Sequence, residues 1–205
     1  MLFLNPVYQQ VEQLYADKIN HFPLIRLIFL SLDKTIFYLI VYIILRFLYL
    51  KFKKRKTKAL KELKLGIFVT YLLLLFFLTV FRAPYFPWEI HLVLNRPLSD
   101  INMIPLVETF KLIRGSSIID FLYNFYGNIL WFIPMGILIP SLTRKRISLT
   151  KVALIGAVIS ISIELLQFIL MSGISDIDDV IFNTLGVIIG YCLYQIGKSI
   201  KKLFK

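Results

Sequence analysis

Cysteine is nearly absent from this chain: Cys192 stands alone, so no intramolecular disulfide can form and no cysteine-rich metal site is available. Histidine is almost as scarce, with His21 near the start and His91 far along the chain, and the two show no ligand spacing. Acidic residues are few, 12 against 24 Lys and Arg, which leaves a net charge of +12. No Gly/Ser or Pro-rich stretch marks a linker, and no inverted or parallel repeat is visible. Phosphate-binding loops, metal motifs and a nucleophile beside its base are likewise missing. The amino-terminal stretch lacks the charged start and small-residue cleavage site of a secretory signal.

What the chain has is apolar surface. Hydrophobic residues make up 58% of it and aromatic residues 15%; the mean hydropathy is +0.76. That balance lies outside the range of soluble domains and predicts an integral membrane protein. Five runs approach the roughly 20 apolar residues that cross a bilayer: 33–50, 65–81, 121–142, 150–171 and 177–196. They are continuously apolar instead of alternating, which predicts helices and argues against a barrel. The expected fold is therefore an all-α, multi-pass transmembrane helical bundle of about five spanning helices. Without a linker, one membrane domain is the simplest organisation, and the lack of repeats counts against an alternating-access transporter. The first span is expected to be a retained anchor, and 21–34, with Pro23, Arg26, Asp33 and Lys34, reads either as an interfacial helix or as part of that span. Cys192 falls within the last run, where an inert small hydrophobe is expected.

The position of the cations decides what the charge means. Lys51, Lys53, Lys54, Arg55, Lys56, Lys58, Lys61 and Lys64 form one group; Arg144, Lys145, Arg146 and Lys151 a second; Lys198, Lys201, Lys202 and Lys205 a third. With five spans all three groups fall on one side, as the positive-inside rule asks of cytoplasmic segments. The amino terminus and the segments 82–120 and 172–176 are then expected outside, and the carboxyl terminus inside. The charge reads as a topology signal and not as a nucleic-acid footprint, and contact of the first group with anionic headgroups is the weaker reading. In the long outer segment, Trp88 and Tyr85 among prolines suit an interfacial anchor, and Ile104, Val107 and Phe110 with Ile113 or Arg114 fit a short amphipathic helix ended by Gly115.

Against this apolar background a few polar residues stand out near the carboxyl end. Ser172 and Gly173 fall in a turn between two antiparallel spans. Asp176 is expected to cap the last helix, with Asp178 and Asp179 favoured in its first turn by the helix dipole. Asp179, Asn183, Gly186 and Gly190 then share one face, and Gly186 with Gly190 permits close helix contact. On the preceding span Ser160, Glu164 and Gln167 follow the same spacing. At about 1.5 Å per residue, Glu164 and Asn183 each lie on the order of 10 Å below the surface and should sit side by side. Asn128 falls at a comparable depth in the third span, where Pro134 cannot bond the carbonyl of Leu130 and should kink or break the helix. The expected product is an outward-opening polar pocket lined by Asn128, Glu164, Gln167, Asp179 and Asn183. A glutamate at that depth should be paired, protonated or functional. The structural alternative pairs Glu164 with Arg82 or Arg96. No metal or other cofactor is expected, although Glu164, Asp178 and Asp179 carry the hard oxygen ligands that Mg²⁺ or Ca²⁺ takes.

"ELLQF" at 164–168 and "DIDDVIFNTLG" at 176–186, with Gly190 after it, resemble the carboxy-terminal signature of the VanZ-like family. "NILWFIPMGILIP" at 128–140 is similar to its central motif, and "NMIP" at 102–105 to the motif before that. Many members carry an arginine in the turn ahead of the aspartates, where this chain has Ser172, Gly173 and Ile174, as in the branch named for teicoplanin resistance. The resemblance divides the chain into 1–64, with the first span and the basic loop, and a VanZ-like membrane core over 65–205. It implies Asn102, Asn128, Pro134, Gly136, Glu164, Gln167, Asp176, Asp179, Asn183 and Gly186 as motif positions. It also implies a bacterial cell membrane protein, some of whose relatives lower susceptibility to lipid-tailed glycopeptides such as teicoplanin, with no established reaction.

Two functions follow as expectations. The first is a non-enzymatic protein that binds lipoglycopeptide or a lipid-linked wall precursor at the outer leaflet, in contact with membrane lipids. The second is an intramembrane enzyme with Glu164 and Asp179 as catalytic acid and base. A proton-coupled transporter ranks behind both. The oligomeric state is not legible.

Overall fold

The structure, a computed structural model, describes residues 1–107, 109, 118–143 and 145–204, with the side chains of 118–124 excepted. Six helices are present among them: α1 (Asn5–Tyr15), α2 (Phe22–Phe52), α3 (Ala59–Thr79), α4 (Ile118–Leu142), α5 (Leu149–Leu170) and α6 (Ile177–Leu203). Short 3-10 turns occupy Pro87–Glu89 and Leu98–Asp100. Five of the helices are long and apolar enough to cross a membrane, which gives the all-helical, multi-pass architecture expected from hydropathy. The chain forms two compact units, Met1–His91 and Leu92–Lys205.

The first unit is built on an α2–α3 hairpin. α2 starts at Phe22 with Pro23 in its first turn, where the missing amide costs nothing. The segment 21–34 is thus part of the spanning helix and not a separate interfacial one. Thirty-one residues make α2 about 46 Å long, well beyond the roughly 30 Å of a hydrocarbon core. At its far end Lys54 adopts the left-handed region (φ 48°) and Arg55 N–H returns to the Leu50 carbonyl at 3.1 Å, reversing the chain into α3. Arg46 on α2 and Glu62 on α3 close a two-pronged ion pair there, both contacts at 2.8 Å.

Near the other end of the hairpin the apolar run carries Asp33 and Lys34, both wholly buried. Neighbours on a helix face different directions, and these two have separate partners. The Asp33 carboxylate accepts the N–H groups of Leu2, Phe3 and Leu4, each at 2.7 Å, and the Tyr85 hydroxyl at 2.7 Å. Burial and then this hydrogen bond push the Tyr85 phenol up, so it stays a donor. Lys34 donates to the carbonyls of Phe81, Arg82 and Pro84 at 2.6, 3.1 and 3.2 Å and lies over the Phe77 ring. The first charge thus ties down the chain start, and the second orders the chain leaving α3. α1 packs through Tyr8, whose ring centre is 6.2 Å from Phe22 and 5.7 Å from Phe29.

The second unit is a three-helix assembly. Gly136 of α4 faces Gly190 and Val187 of α6, while Gly186 and Gly190 lie directly against the carbonyls of Ile129 and Ile133. A Cβ at any of the three would run into backbone, so the small-residue pair read from sequence is the contact seam. Gly156 of α5 receives Val187, and Val152, Met135 and Val187 form the fully buried core. α4 runs unbroken through Pro134 and Pro140, so the broken helix expected from sequence is corrected to a continuous one. The Tyr191 hydroxyl donates to the Ile147 carbonyl at 2.9 Å, fixing the α4–α5 connection to α6. Cys192 is free and exposed. Arg144 and Lys205 of the basic groups lie outside the described residues, as do Phe110, Ile113, Arg114 and Gly115 of the expected amphipathic helix.

Candidate functional site

The site is assembled in the second unit around the turn between α5 and α6. Met171 ends α5 in the left-handed region (φ 49°), its N–H reaching the Gln167 and Phe168 carbonyls. Ser172 N–H also returns to Gln167, at 3.1 Å. Gln167 itself is buried, and a Cβ at Gly173 would lie 3.1 Å from its side-chain carbonyl carbon, so the small residue in this turn makes room for that amide. Asp176 then caps α6, its carboxylate accepting Asp178 N–H at 2.8 Å as expected of that position.

Glu164 reaches the turn from α5. Its Oε2 accepts the Asp176 N–H at 2.9 Å, and its main-chain carbonyl accepts the Ser175 hydroxyl at 2.5 Å. The carboxylate therefore holds the entry to α6, and neither Arg82 nor Arg96 is its partner. Arg96 pairs with Asp100 at 2.9 Å, reaches the Phe168 and Gly173 carbonyls at 3.4 and 3.3 Å, and lies over the Phe168 ring. Arg82 belongs to the first unit and donates to the Leu78 carbonyl.

Two further links join the helices. Asn128 of α4 donates to Asp179 Oδ1 at 2.5 Å, and Asn183 donates to the Ser160 hydroxyl of α5 at 2.9 Å. Asp176 and Asp179 are both within electrostatic reach of Glu164. Asn128, Glu164, Asp176, Asp179 and Asn183 thus form a polar cluster of separate hydrogen-bonded pairs across α4, α5 and α6, with Gly136, Gly186 and Gly190 in the seam that lets α4 and α6 approach. Among the described residues no group of three or more His, Cys, Asp or Glu is placed to hold a metal ion, so Glu164, Asp178 and Asp179 are not gathered as ligands.

The segment ahead of α4 is sewn onto this turn by backbone bonds. Asn102 N–H donates to Ser175 at 2.9 Å and the Asn102 carbonyl accepts Ile177 N–H at 2.9 Å, a strand-like bridge to Asp176. Val93 N–H donates to Ile169 at 2.8 Å. Asp178, which sequence spacing assigned only to the first turn of α6, is almost completely buried and accepts the Leu106 N–H and the Thr109 hydroxyl, each at 2.5 Å. Leu106 has φ 65°, a conformation that a leucine seldom adopts and that this hydrogen bond holds. The doubled aspartate "DD" was the available signal for such a role. Its partners were not, since one is a backbone amide.

Three buried polar atoms of this unit have no partner among the described residues: Asn183 Oδ1, Asn102 Nδ2 and the Ser172 hydroxyl. An orphaned buried group of this kind costs about 1–3 kcal/mol. The unit therefore has spare hydrogen-bonding capacity, both accepting and donating, and two of the three residues, Asn102 and Asn183, lie in the motifs.

The chain is similar to known proteins over much of its length. The family model described as VanZ/LLP1 matches residues 68–198, more than half of the chain. Protein VanZ of Enterococcus faecium is 33% identical over 139 residues, covering 68% of this chain and 78% of that protein. No solved structure matches the chain. The match begins inside α3 and takes in the seam, the turn and every residue of the cluster, and on that evidence the chain belongs to the VanZ/LLP1 family, as a multi-pass bacterial membrane protein.

Proposed function

We propose that this protein lowers susceptibility to teicoplanin-type lipoglycopeptides by binding the drug or a lipid-linked wall precursor at the outer leaflet, with the α5–α6 turn on the outer side. The observation that carries this reading is the set of unpartnered buried atoms in the motif-bearing unit, Asn183 Oδ1, Asn102 Nδ2 and the Ser172 hydroxyl. A sugar or peptide headgroup offers both donors and acceptors, and satisfying these atoms contributes to affinity. The second and third basic groups support the orientation, since Lys145, Arg146 and Lys151 lie at the start of α5 and Lys198, Lys201 and Lys202 at the end of α6, away from the turn that joins these helices. Purified protein in nanodiscs should bind teicoplanin or a lipid-linked precursor at micromolar levels. Asn183→Leu, which keeps the branched shape but removes both the free acceptor and the donor to Ser160, should weaken that binding about tenfold in protein whose melting temperature shows that it folds. Binding of neither molecule ends this version.

A second reading, intramembrane chemistry on a lipid-linked wall component, draws on the approach of the Asp179 and Glu164 carboxylates, one of which would serve as acid and the other as base. Mass spectrometry of a lipid-linked substrate after incubation tests it. A folded Glu164→Gln variant with full turnover removes Glu164 from any such role.

A further inference from the structure

Outside the motif-bearing unit, α2 and α3 enclose a second feature. A groove of about 750 Å³ runs between them, walled by Leu39, Ile43, Phe47, Ile67 and Leu74 and floored by Gly66. Its lining extends along α2 from Leu39 to Leu50, roughly 16 Å at 1.5 Å per residue, close to one leaflet of a hydrocarbon core. Ile43, Phe47 and Ile67 are about half exposed or more, so the groove is open along its length. Its polar edge is self-neutralised: Arg46 and Glu62 bind each other, and Thr57 donates to Glu62 at 2.7 Å. One donor inside it is unspent, because the Tyr42 hydroxyl is buried without a partner among the described residues.

The end of the groove opens on the α2–α3 turn. Six of the eight residues 51–58 are cationic, all eight are exposed, and Glu62, the one acid of 51–64, is occupied by Arg46. Lys51, Lys53, Lys54, Arg55, Lys56 and Lys58 form no ion pair among the described residues. An apolar trough one leaflet deep, ending in unneutralised cations, is complementary to an amphiphile with a hydrocarbon tail and an anionic head.

We propose that this groove binds one anionic glycerophospholipid, its acyl chain along α2 and α3 and its phosphate on the basic turn. Most of the site precedes residue 68, where the family match starts, and it is independent of the function proposed above. A plain topogenic charge cluster predicts no dependence on the groove. A second copy of the chain would fill the groove with protein and leave no lipid bound.

Gly66 separates these cases. A Cβ there meets nothing within 4 Å, so Gly66→Leu fills the groove without striking backbone, and Ile67→Trp does the same from a different position. Native mass spectrometry of the full chain in detergent, with palmitoyl-oleoyl phosphatidylglycerol and phosphatidylcholine supplied equally, reads the result. One phosphatidylglycerol should be retained in preference to phosphatidylcholine by about tenfold or more. The preference should vanish in the Lys53, Lys54, Arg55 and Lys56 quadruple glutamine variant, and retention should fall by a similar factor in Gly66→Leu and Ile67→Trp. Equal retention of the two lipids, retention unchanged in both groove variants, or a dimer that excludes lipid would each overturn the proposal.

Discussion

Asp33 and Lys34 show how little a single charge says about its own role. In an apolar run they read as the boundary of a span, yet the structure buries both and gives each a different stretch of backbone to hold. Asp33→Ala would leave three amides and the Tyr85 hydroxyl without their acceptor, a loss of about 2–4 kcal/mol. Hydrogen exchange should show Leu2, Phe3 and Leu4 unprotected in that variant and protected in the parent. Asp178 belongs to the same class. Its loss in Asp178→Ala should release the segment that includes Leu106 and lower stability by about 2–3 kcal/mol in thermal unfolding. Glu164→Gln differs, because the amide oxygen can still accept the Asp176 N–H. It should fold with little change in melting temperature, which makes it the clean probe of function.

At the scale of elements, the packing of α4 on α6 depends on glycines whose replacement has no room. Gly186→Leu places a side chain against the Ile129 carbonyl and should destabilise the unit by about 3 kcal/mol or more, read as loss of the folded monomer in detergent. Gly66→Ala, where the added methyl meets nothing, should be neutral or stabilising by about 0.5–1 kcal/mol. The stripe of Asp179, Asn183, Gly186 and Gly190 was legible because a 3.6-residue period puts it on one face, and its glycine seam is present. Its polar partners were not legible, since Asn183, set beside Glu164 by depth alone, bonds Ser160 and Asp179 bonds Asn128. The spans were legible for the same kind of reason. α1 was not, since an 11-residue helix takes its stability from tertiary contacts such as Tyr8 on Phe22 and Phe29, which no local pattern announces. The pairing of Asn102 with Ser175 and Ile177 was hidden too, because backbone hydrogen bonds leave no signature in side-chain type. Pro134 misled in the opposite direction: one missing amide did not interrupt α4.

For the whole molecule, the charge distribution predicts an orientation that labelling can read. In a Cys192→Ser background, Lys54→Cys should react with an impermeant thiol reagent only after the cells are opened, and Ile174→Cys, an exposed position in the α5–α6 turn, in intact cells. The opposite pattern would place the cluster at the inner leaflet and remove the proposed encounter with extracellular drug. The central claim is that a polar cluster on the membrane-spanning helices carries the proposed function. Its most direct test is susceptibility to teicoplanin and to vancomycin in a heterologous Gram-positive host carrying no insert, the parent chain or Glu164→Gln at matched membrane abundance. The account predicts a shift for teicoplanin alone that the variant abolishes. A shift that survives the variant would contradict it and return Glu164 to fastening the start of α6.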